Sequence, residues 1–212
     1  MLAYQVAFDL VEGGSQDYIE AIRSSLSEGT TPAEKQAYTK LRKILGGEET
    51  IRLYLDFLSR NNRTDLLILK NSKDVLDGRS SIYHNALTLQ NAFMHCGTTS
   101  DVFLRSNLDW LGRASNWSKF SVTAALGVIN KGNIWDGMRL LNPYLPTASG
   151  ENSSGAYSEG GALYALGLIN AGRGREVIGY LRDRLKEAGS DVVQHGACLG
   201  LGVAGMAGGN QG

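Results

Sequence analysis

The sequence predicts an all-α fold in which antiparallel helix pairs stack into an α-solenoid. Apolar residues recur at helical spacing almost everywhere, as in Ile51, Tyr54, Leu55 and Leu58, whereas the alternating pattern of a strand is scarce. The C-terminal part of the chain also repeats itself at intervals of 35 to 40 residues. A fixed period of this length is typical of helix-pair repeats, so it determines the predicted fold class more than any single residue does.

Residues 1–80 are predicted to form an N-terminal helical rod. The start of its third helix is clear, because Thr31 can accept a hydrogen bond from a first-turn amide, Pro32 needs no partner at the first helical position, and Glu34 can reach back. Segment 27–31 is expected to be either a mobile joint or a shortened natural loop. The predicted helices of the rod span residues 3–12, 15–27, 32–45, 48–60 and 62–70.

Residues 81–212 are predicted to form the repeats. Ala125–Gly132 matches Ala165–Gly172 at an offset of 40 residues, and Gly161–Gly167 matches Gly196–Gly202 at an offset of 35 residues. Asn91–Gly97 falls more weakly on the same frame. Each repeat is therefore expected to be a helix of small residues, a glycine turn and a larger amphipathic helix, with the larger helices at 100–113, 134–145 and 174–187.

Glycine within the small-residue helices needs a compensating interaction. Gly196, Gly200, Gly202 and Gly205 lie within ten residues, and each costs about 0.5–1 kcal/mol relative to alanine inside a helix. Close approach of neighbouring helix backbones would offset this cost. We therefore expect thin inner helices beneath a bulkier outer layer, with Gly132, Gly172 and Ala207 at equivalent corners of successive layers.

Two segments are expected to be mobile. The polar insertion at residues 147–156 accounts for the longer of the two offsets and should protrude from the stack. The last repeat has its glycine-rich helix but no second helix, so residues from about 203 onward are expected to fray or to associate end to end with another copy.

Composition and charge argue against several functional classes. The chain has 212 residues, of which 42% are apolar, and its 21 basic residues balance its 21 acidic residues. No overall field therefore attracts nucleic acid or an anionic membrane surface. The sequence start, MLAYQVAFDLVEGG, lacks the pattern of a secretory signal, so export is not expected. The longest weakly polar stretch, Gly196–Gly209, has 14 residues and is too short to span a bilayer.

Motifs with potential chemistry all have simpler interpretations. Gly200, Gly202 and Gly205 fit the G-x-G-x-x-G fingerprint of dinucleotide-binding proteins, but the βαβ setting that the fingerprint needs is missing. His95-Cys96 and His195 with Cys198 would lie in distant repeats, so no shared metal site is expected. We predict no catalytic residue, no cofactor and no metal.

The histidines, the cysteines and two of the tryptophans are expected to have structural roles. His84, His95 and His195 are interpreted as core or capping residues. The two cysteines suit a reducing compartment, and packing is their expected role. Trp110 and Trp117 are expected to pack between helices, with a contact to a partner protein as the alternative.

The segment Gly160–Ile169 resembles the proteasome/cyclosome repeat family. The strings Arg60–Leu66, Phe93–Asp101 and Asn116–Phe120 are similar to one branch of that family, the large non-ATPase scaffold subunits of the 26S proteasome regulatory particle. This resemblance is specific from about residue 44 to the end and weaker before it. It implies a helical rod that leads into a ring of repeats, of which this chain would cover the end of the rod and the first repeats.

The resemblance implies a non-catalytic scaffold in the cytoplasm and nucleus that organises other regulatory-particle subunits and supports ubiquitin-dependent degradation. Ubiquitin or its receptors would be contacted through parts of the full-length protein that this chain lacks. No individual partner-binding residue can be transferred. Two alternatives are a generic peptide-binding repeat module and an α/α-barrel enzyme, and the latter would need acidic or histidine residues at matching repeat positions.

Overall fold

The computed structural model of the chain describes residues 1–76, 80–146, 155–172 and 174–206, and these residues form helices and no strand. The predicted all-α fold class is therefore confirmed. Internal contacts divide the described chain into two compact units, Met1–Phe57 and Leu58–Met206. This division by contacts does not test the predicted boundary between the rod and the repeats at residue 80, which stays a prediction.

The first unit is built from amphipathic helices that share a small core. Ala7, Ile19, Ile44 and Leu45 form this core, and half-buried residues such as Tyr4 and Leu41 pack around it. The helices are α1 (Leu2–Gly13), α2 (Gln16–Ser25), α3 (Pro32–Leu45) and α4 (Glu48–Arg60), of which α4 begins in this unit.

The start of α3 has the predicted capping arrangement. The backbone N–H of Glu34 donates to Thr31 Oγ1 at 3.2 Å, and Glu34 Oε2 accepts from the backbone N–H of Thr31 at 3.1 Å. The preceding loop is held by Arg42, whose guanidinium donates to the carbonyl of Leu26 at 2.8 Å. The observed bounds of α3 and α4 agree with the predicted ones. For α3, the capping residues and Pro32 at its start are a strong local signal.

The second unit has two layers. The inner helices α6, α9, α11 and α13 stack side by side in chain order, and α5, α10 and α12 pack against them from outside. The helices of this unit are α5 (Leu66–Val75), α6 (Ser81–Met94), α7 (Val102–Arg105), α8 (Leu108–Leu111), α9 (Trp117–Ile129), α10 (Gly137–Leu141), α11 (Ala156–Ile169), α12 (Arg175–Glu187) and α13 (Asp191–Ala204).

Close backbone approach between inner helices requires glycine at particular positions. A Cβ atom added at Gly127 would lie 2.5 Å from the Cα of Ala165, and one added at Gly161 would lie 2.5 Å from the carbonyl oxygen of Phe120. The same contacts recur one repeat later, where Gly167 meets the backbone of Gly200 and Gly196 meets the backbone of Gly160. The helices therefore pack main chain against main chain at these glycines, as predicted for Gly196 and Gly200, whereas a Cβ atom added at Gly202 would meet no described atom within 4 Å.

The glycine corners after the inner helices are equivalent. Gly97, Gly132 and Gly172 have φ values of 68°, 83° and 69°, a backbone conformation that favours glycine. Two residues before each corner, a side chain bonds to the carbonyl four residues back: Asn130 to Leu126 at 2.9 Å, Asn170 to Leu166 at 2.8 Å, and His95 to Asn91 at 3.1 Å. Ala207, the predicted fourth corner, lies outside the described residues.

Backbone hydrogen bonds join each corner to the end of the next inner helix. They run from the N–H of the corner glycine, or of the residue two positions after it, to a carbonyl oxygen. The donor and acceptor pairs are Gly97 to Val128 at 3.1 Å, Thr99 to Ile129 at 3.0 Å, Gly132 to Ile169 at 2.9 Å, Gly172 to Val203 at 3.1 Å and Gly174 to Ala204 at 3.1 Å. Successive repeats are thus connected by their main chains as well as by apolar packing.

Three predicted helices differ from the observed ones by more than two residues at an end. The helix predicted at 62–70 is observed at Leu66–Val75, and Asp65 caps its start by accepting from the N–H of Leu67 at 2.8 Å. The helix predicted at 100–113 is interrupted between α7 and α8, where the Asn107 side chain donates to the Phe103 carbonyl at 2.7 Å. The helix predicted at 134–145 is reduced to α10. The predicted helix at 174–187 agrees with α12.

The two segments expected to be mobile lie largely outside the described residues. The polar insertion is described only at Gly155 and Ala156, and the end of the chain is described only to Met206. The expected protrusion and fraying therefore stay predictions. Within the described ranges, no helix is both long enough and apolar enough to cross a membrane.

Candidate functional site

The reactive residue types are dispersed over the second unit. Among the described residues, no group of three His, Cys, Asp or Glu side chains is placed to hold a metal ion. Cys96 and Cys198 are both exposed free thiols, so the prediction that they serve packing is wrong. Each directly follows a buried residue, His95 or Ala197, but is itself exposed.

The glycine fingerprint lies within a helix. Gly200 and Gly202 are inside α13, and Gly205 is its C-cap. A Cβ atom added at Gly200 would lie 2.6 Å from the carbonyl oxygen of Leu163, so helix packing accounts for this glycine. A dinucleotide would need the fingerprint on a turn between a strand and a helix, which is not the observed setting.

His84 and Trp110 form a buried stacked pair. Their ring centroids are 3.9 Å apart with an angle of 7° between the planes, and His84 Nε2 lies 3.1 Å from the Trp110 carbonyl oxygen. Burial lowers the pKa of His84, although the hydrogen bond to Trp110 acts in the opposite direction. The predicted structural roles of both residues are confirmed, and His95 likewise caps the end of α6.

Trp117 and His195 are more exposed than predicted. Trp117 is 48% exposed, and its ring contacts Tyr157 at 5.4 Å and His195 at 5.5 Å between centroids, in both cases edge to face. His195 is itself exposed within α13, so it is neither a core residue nor a cap. These rings cover one end of α9, α11 and α13 and connect the three helices at their surface.

A groove lies between α5 and the interrupted pair α7 and α8, and we call it the α5–α8 groove. It consists of two adjoining cavities of about 420 Å³ and about 350 Å³. Lys73, Ser106 and Asn107 line both cavities. The sequence does not predict this groove, because the apolar spacing of residues 100–113 indicates one continuous helix.

The floor of the α5–α8 groove belongs to a well-packed core. Leu69 of α5, Phe103 of α7 and Trp110 of α8 join one apolar cluster with Leu87 and Ile129 of the inner helices. Leu69 and Ile129 are completely buried. The elements on either side of the groove are therefore packed onto the inner layer through this shared apolar cluster.

Comparisons with known proteins match the chain to subunits of the 26S proteasome. The family described as the 26S proteasome subunit RPN2, N-terminal domain, matches residues 1–62, and the proteasome/cyclosome repeat matches residues 161–194. The first match lies largely before residue 44, where the sequence strings carried the weaker resemblance. The second begins within α11, includes α12 and ends in the first turn of α13.

Three relatives illustrate the similarity. The 26S proteasome regulatory subunit RPN2 of Eremothecium gossypii is 46% identical over 97% of this chain and 22% of its own length. RPN2 of Saccharomyces cerevisiae is 43% identical over 99% of this chain and 22% of its own length. The 26S proteasome non-ATPase regulatory subunit 1 of Drosophila melanogaster is 50% identical over 92% of this chain and 19% of its own length. The chain thus spans about a fifth of the length of the curated relatives it matches.

Proposed function

Because the chain belongs to the family of the 26S proteasome regulatory subunit RPN2, also named non-ATPase regulatory subunit 1, we propose that it is a non-catalytic scaffold segment of the proteasome regulatory particle. In this role its helix faces and loops hold neighbouring subunits in place. The full-length protein would act in the cytoplasm and nucleus and support ubiquitin-dependent protein degradation.

The observation that carries the proposal is the regular stack of α6, α9, α11 and α13. Its equivalent corners and main-chain contacts make a rigid array whose outer helices and connecting segments face away from the inner layer. Such arrays present extended surfaces to other proteins. The partners proposed here are other regulatory-particle subunits, while ubiquitin or its receptors would be reached through regions that this chain does not include.

Affinity purification of the full-length protein, followed by mass spectrometry, tests the proposal. We expect co-purification of other regulatory-particle subunits in stoichiometric amounts, and their absence would contradict the scaffold role. The same tag on an unrelated protein is the control. Recovery of isolated peptides in place of these subunits would favour the alternative of a generic peptide-binding repeat module.

A further inference from the structure

We propose that the α5–α8 groove is a docking site for an acidic peptide segment that carries a bulky apolar side chain. The groove combines an apolar cavity with a basic one at a single surface. The inference rests on the proposed function only for its biological use, because peptide binding can be measured whether or not proteasome subunits co-purify.

The first cavity supplies an apolar receptor. Its lining includes Leu66 and Leu67 of α5 and Val102 and Phe103 of α7. Leu67 is 55% exposed and Val102 is 49% exposed, although both lie beside a well-packed core. Its volume of about 420 Å³ is in the range of small-ligand pockets and is sufficient for a large aliphatic or aromatic side chain.

The second cavity supplies cationic groups. Lys73 and Arg113 line it, Lys70 lines the apolar cavity next to it, and Asp109 is the one acidic residue among the described lining residues of the two cavities. This excess of positive charge contrasts with the zero formal net charge of the whole chain. A ligand with carboxylates next to its apolar anchor therefore complements the groove in charge, and a basic ligand would be repelled.

Lys73 is held in position at the junction of the two cavities. Its Nζ donates to Asn107 Oδ1 at 2.6 Å, and the Asn107 amide in turn donates to the Phe103 carbonyl at 2.7 Å. A lysine ammonium has three donors, so two remain available for a ligand. Within the described part of the chain, no carboxylate forms an ion pair with Lys70, Lys73 or Arg113.

The occupant is a peptide in preference to a free anion because the two cavities adjoin. A phosphate or another small anion would use the basic cavity and leave Leu66, Leu67 and Val102 exposed. A peptide can fill both cavities with adjacent side chains, which buries apolar surface and pairs charge at the same time. The chain's exposed apolar residues at the groove are thus accounted for by one ligand class.

Selection from a phage-displayed library of random 12-residue peptides against the whole chain tests this inference. We expect enrichment of peptides with two or more acidic residues flanking a leucine, phenylalanine or other bulky apolar residue. Fluorescence anisotropy with a labelled synthetic copy of the selected peptide then measures affinity. Replacing its acidic residues by lysine, or its apolar anchor by alanine, should each weaken binding at least tenfold.

Two charge reversals locate the binding site. Lys70→Glu and Arg113→Glu lie at exposed side chains, so both variants are expected to fold, as a thermal melt would confirm. Each should weaken peptide binding at least fivefold, whereas Lys119→Glu, an exposed lysine on α9 outside the groove, should leave it unchanged. Leu67→Ala should weaken binding through the apolar cavity.

Three outcomes would overturn the inference: selection of basic or uncharged peptides, equal binding by the Lys70→Glu, Arg113→Glu and Lys119→Glu variants, or no saturable binding of any selected peptide. Titration with a labelled 16-nucleotide single-stranded DNA tests whether the groove binds nucleic acid in place of an acidic peptide. Binding of this DNA without binding of acidic peptides would also overturn it.

Discussion

Helices α3 and α11 each contain 14 residues, but α3 buries two of them and α11 buries nine. α3 packs through one edge onto a small core and depends on local interactions at its ends. α11 is enclosed by α9 and α13 on either side and by outer helices, and its small residues let backbones touch. The stability of α3 therefore depends mainly on its own sequence, whereas that of α11 depends on the helices packed around it.

This contrast predicts different sensitivities to the same kind of substitution. In the inner layer, adding a single methyl group should lower the free energy of unfolding strongly, because the new group meets main-chain atoms of the neighbouring helix. Around α3, losing a single hydrogen-bonding group should matter more than adding volume.

Gly167→Ala should destabilise the chain by about 1–3 kcal/mol, the range typical of overpacking. The new Cβ atom would collide with the Cα and carbonyl oxygen of Gly200, which cannot move away as a flexible side chain would. Urea denaturation monitored by circular dichroism measures the change in the free energy of unfolding.

Gly202→Ala is the matched control, since Gly202 occupies the equivalent position one repeat later and no described atom lies within 4 Å of its added Cβ. This substitution should be neutral or should stabilise by about 0.5–1 kcal/mol through the higher helix propensity of alanine. Equal effects of the two substitutions would show that close backbone packing is not what glycine provides in the inner helices.

Thr31→Ala should reduce stability by about 1 kcal/mol, within the range measured for lost N-caps. It removes the oxygen that accepts from the Glu34 amide and thereby opens the capping arrangement of α3. Thermal denaturation measures the loss. Thr39→Ala, in the exposed middle of the same helix, is the control and should cause no loss, because the Thr39 hydroxyl only donates to the Lys35 carbonyl.

The contribution of Glu34 should depend on pH. Hydrogen bonds from Thr30 and Thr31 lower the pKa of Glu34 from 4.5 to about 2. Because the folded state binds the proton less readily, this contribution is complete above the unfolded pKa of about 4.5 and is lost as the pH falls toward 2. The stability difference between the wild type and Glu34→Gln should therefore shrink over this range, and a constant difference would contradict it.

Sequence reasoning worked where the signals were local or periodic. The capping residues around Thr31 fixed the bounds of α3, and the 35- and 40-residue offsets located the corners at Gly97, Gly132 and Gly172. The low helix propensity of glycine also indicated that the inner helices need close packing to offset its cost in stability.

The residues that form the α5–α8 groove could not be predicted in the same way. The segment around Asn107 has apolar spacing compatible with one continuous helix, but the helix is interrupted there. At the interruption, the Asn107 side chain accepts from Lys73 of α5 and donates to the carbonyl of Phe103 of α7. The contact with Lys73 of α5 is a tertiary one that no local pattern contains. The exposure of Trp117 was missed for a similar reason, since its surroundings come from α11 and α13.

The amide-to-carbonyl bonds at the corners imply how this architecture can tolerate sequence drift. The joint between repeats uses main-chain atoms, so side-chain replacements near it leave its hydrogen bonds in place, except at the corner glycines, whose backbone conformation favours glycine. Selection can then vary the outward surfaces repeat by repeat while the spacing of the array is conserved. Proline at Thr99 or Gly174 is a further exception, because it removes the donated hydrogen and would separate one layer from the next.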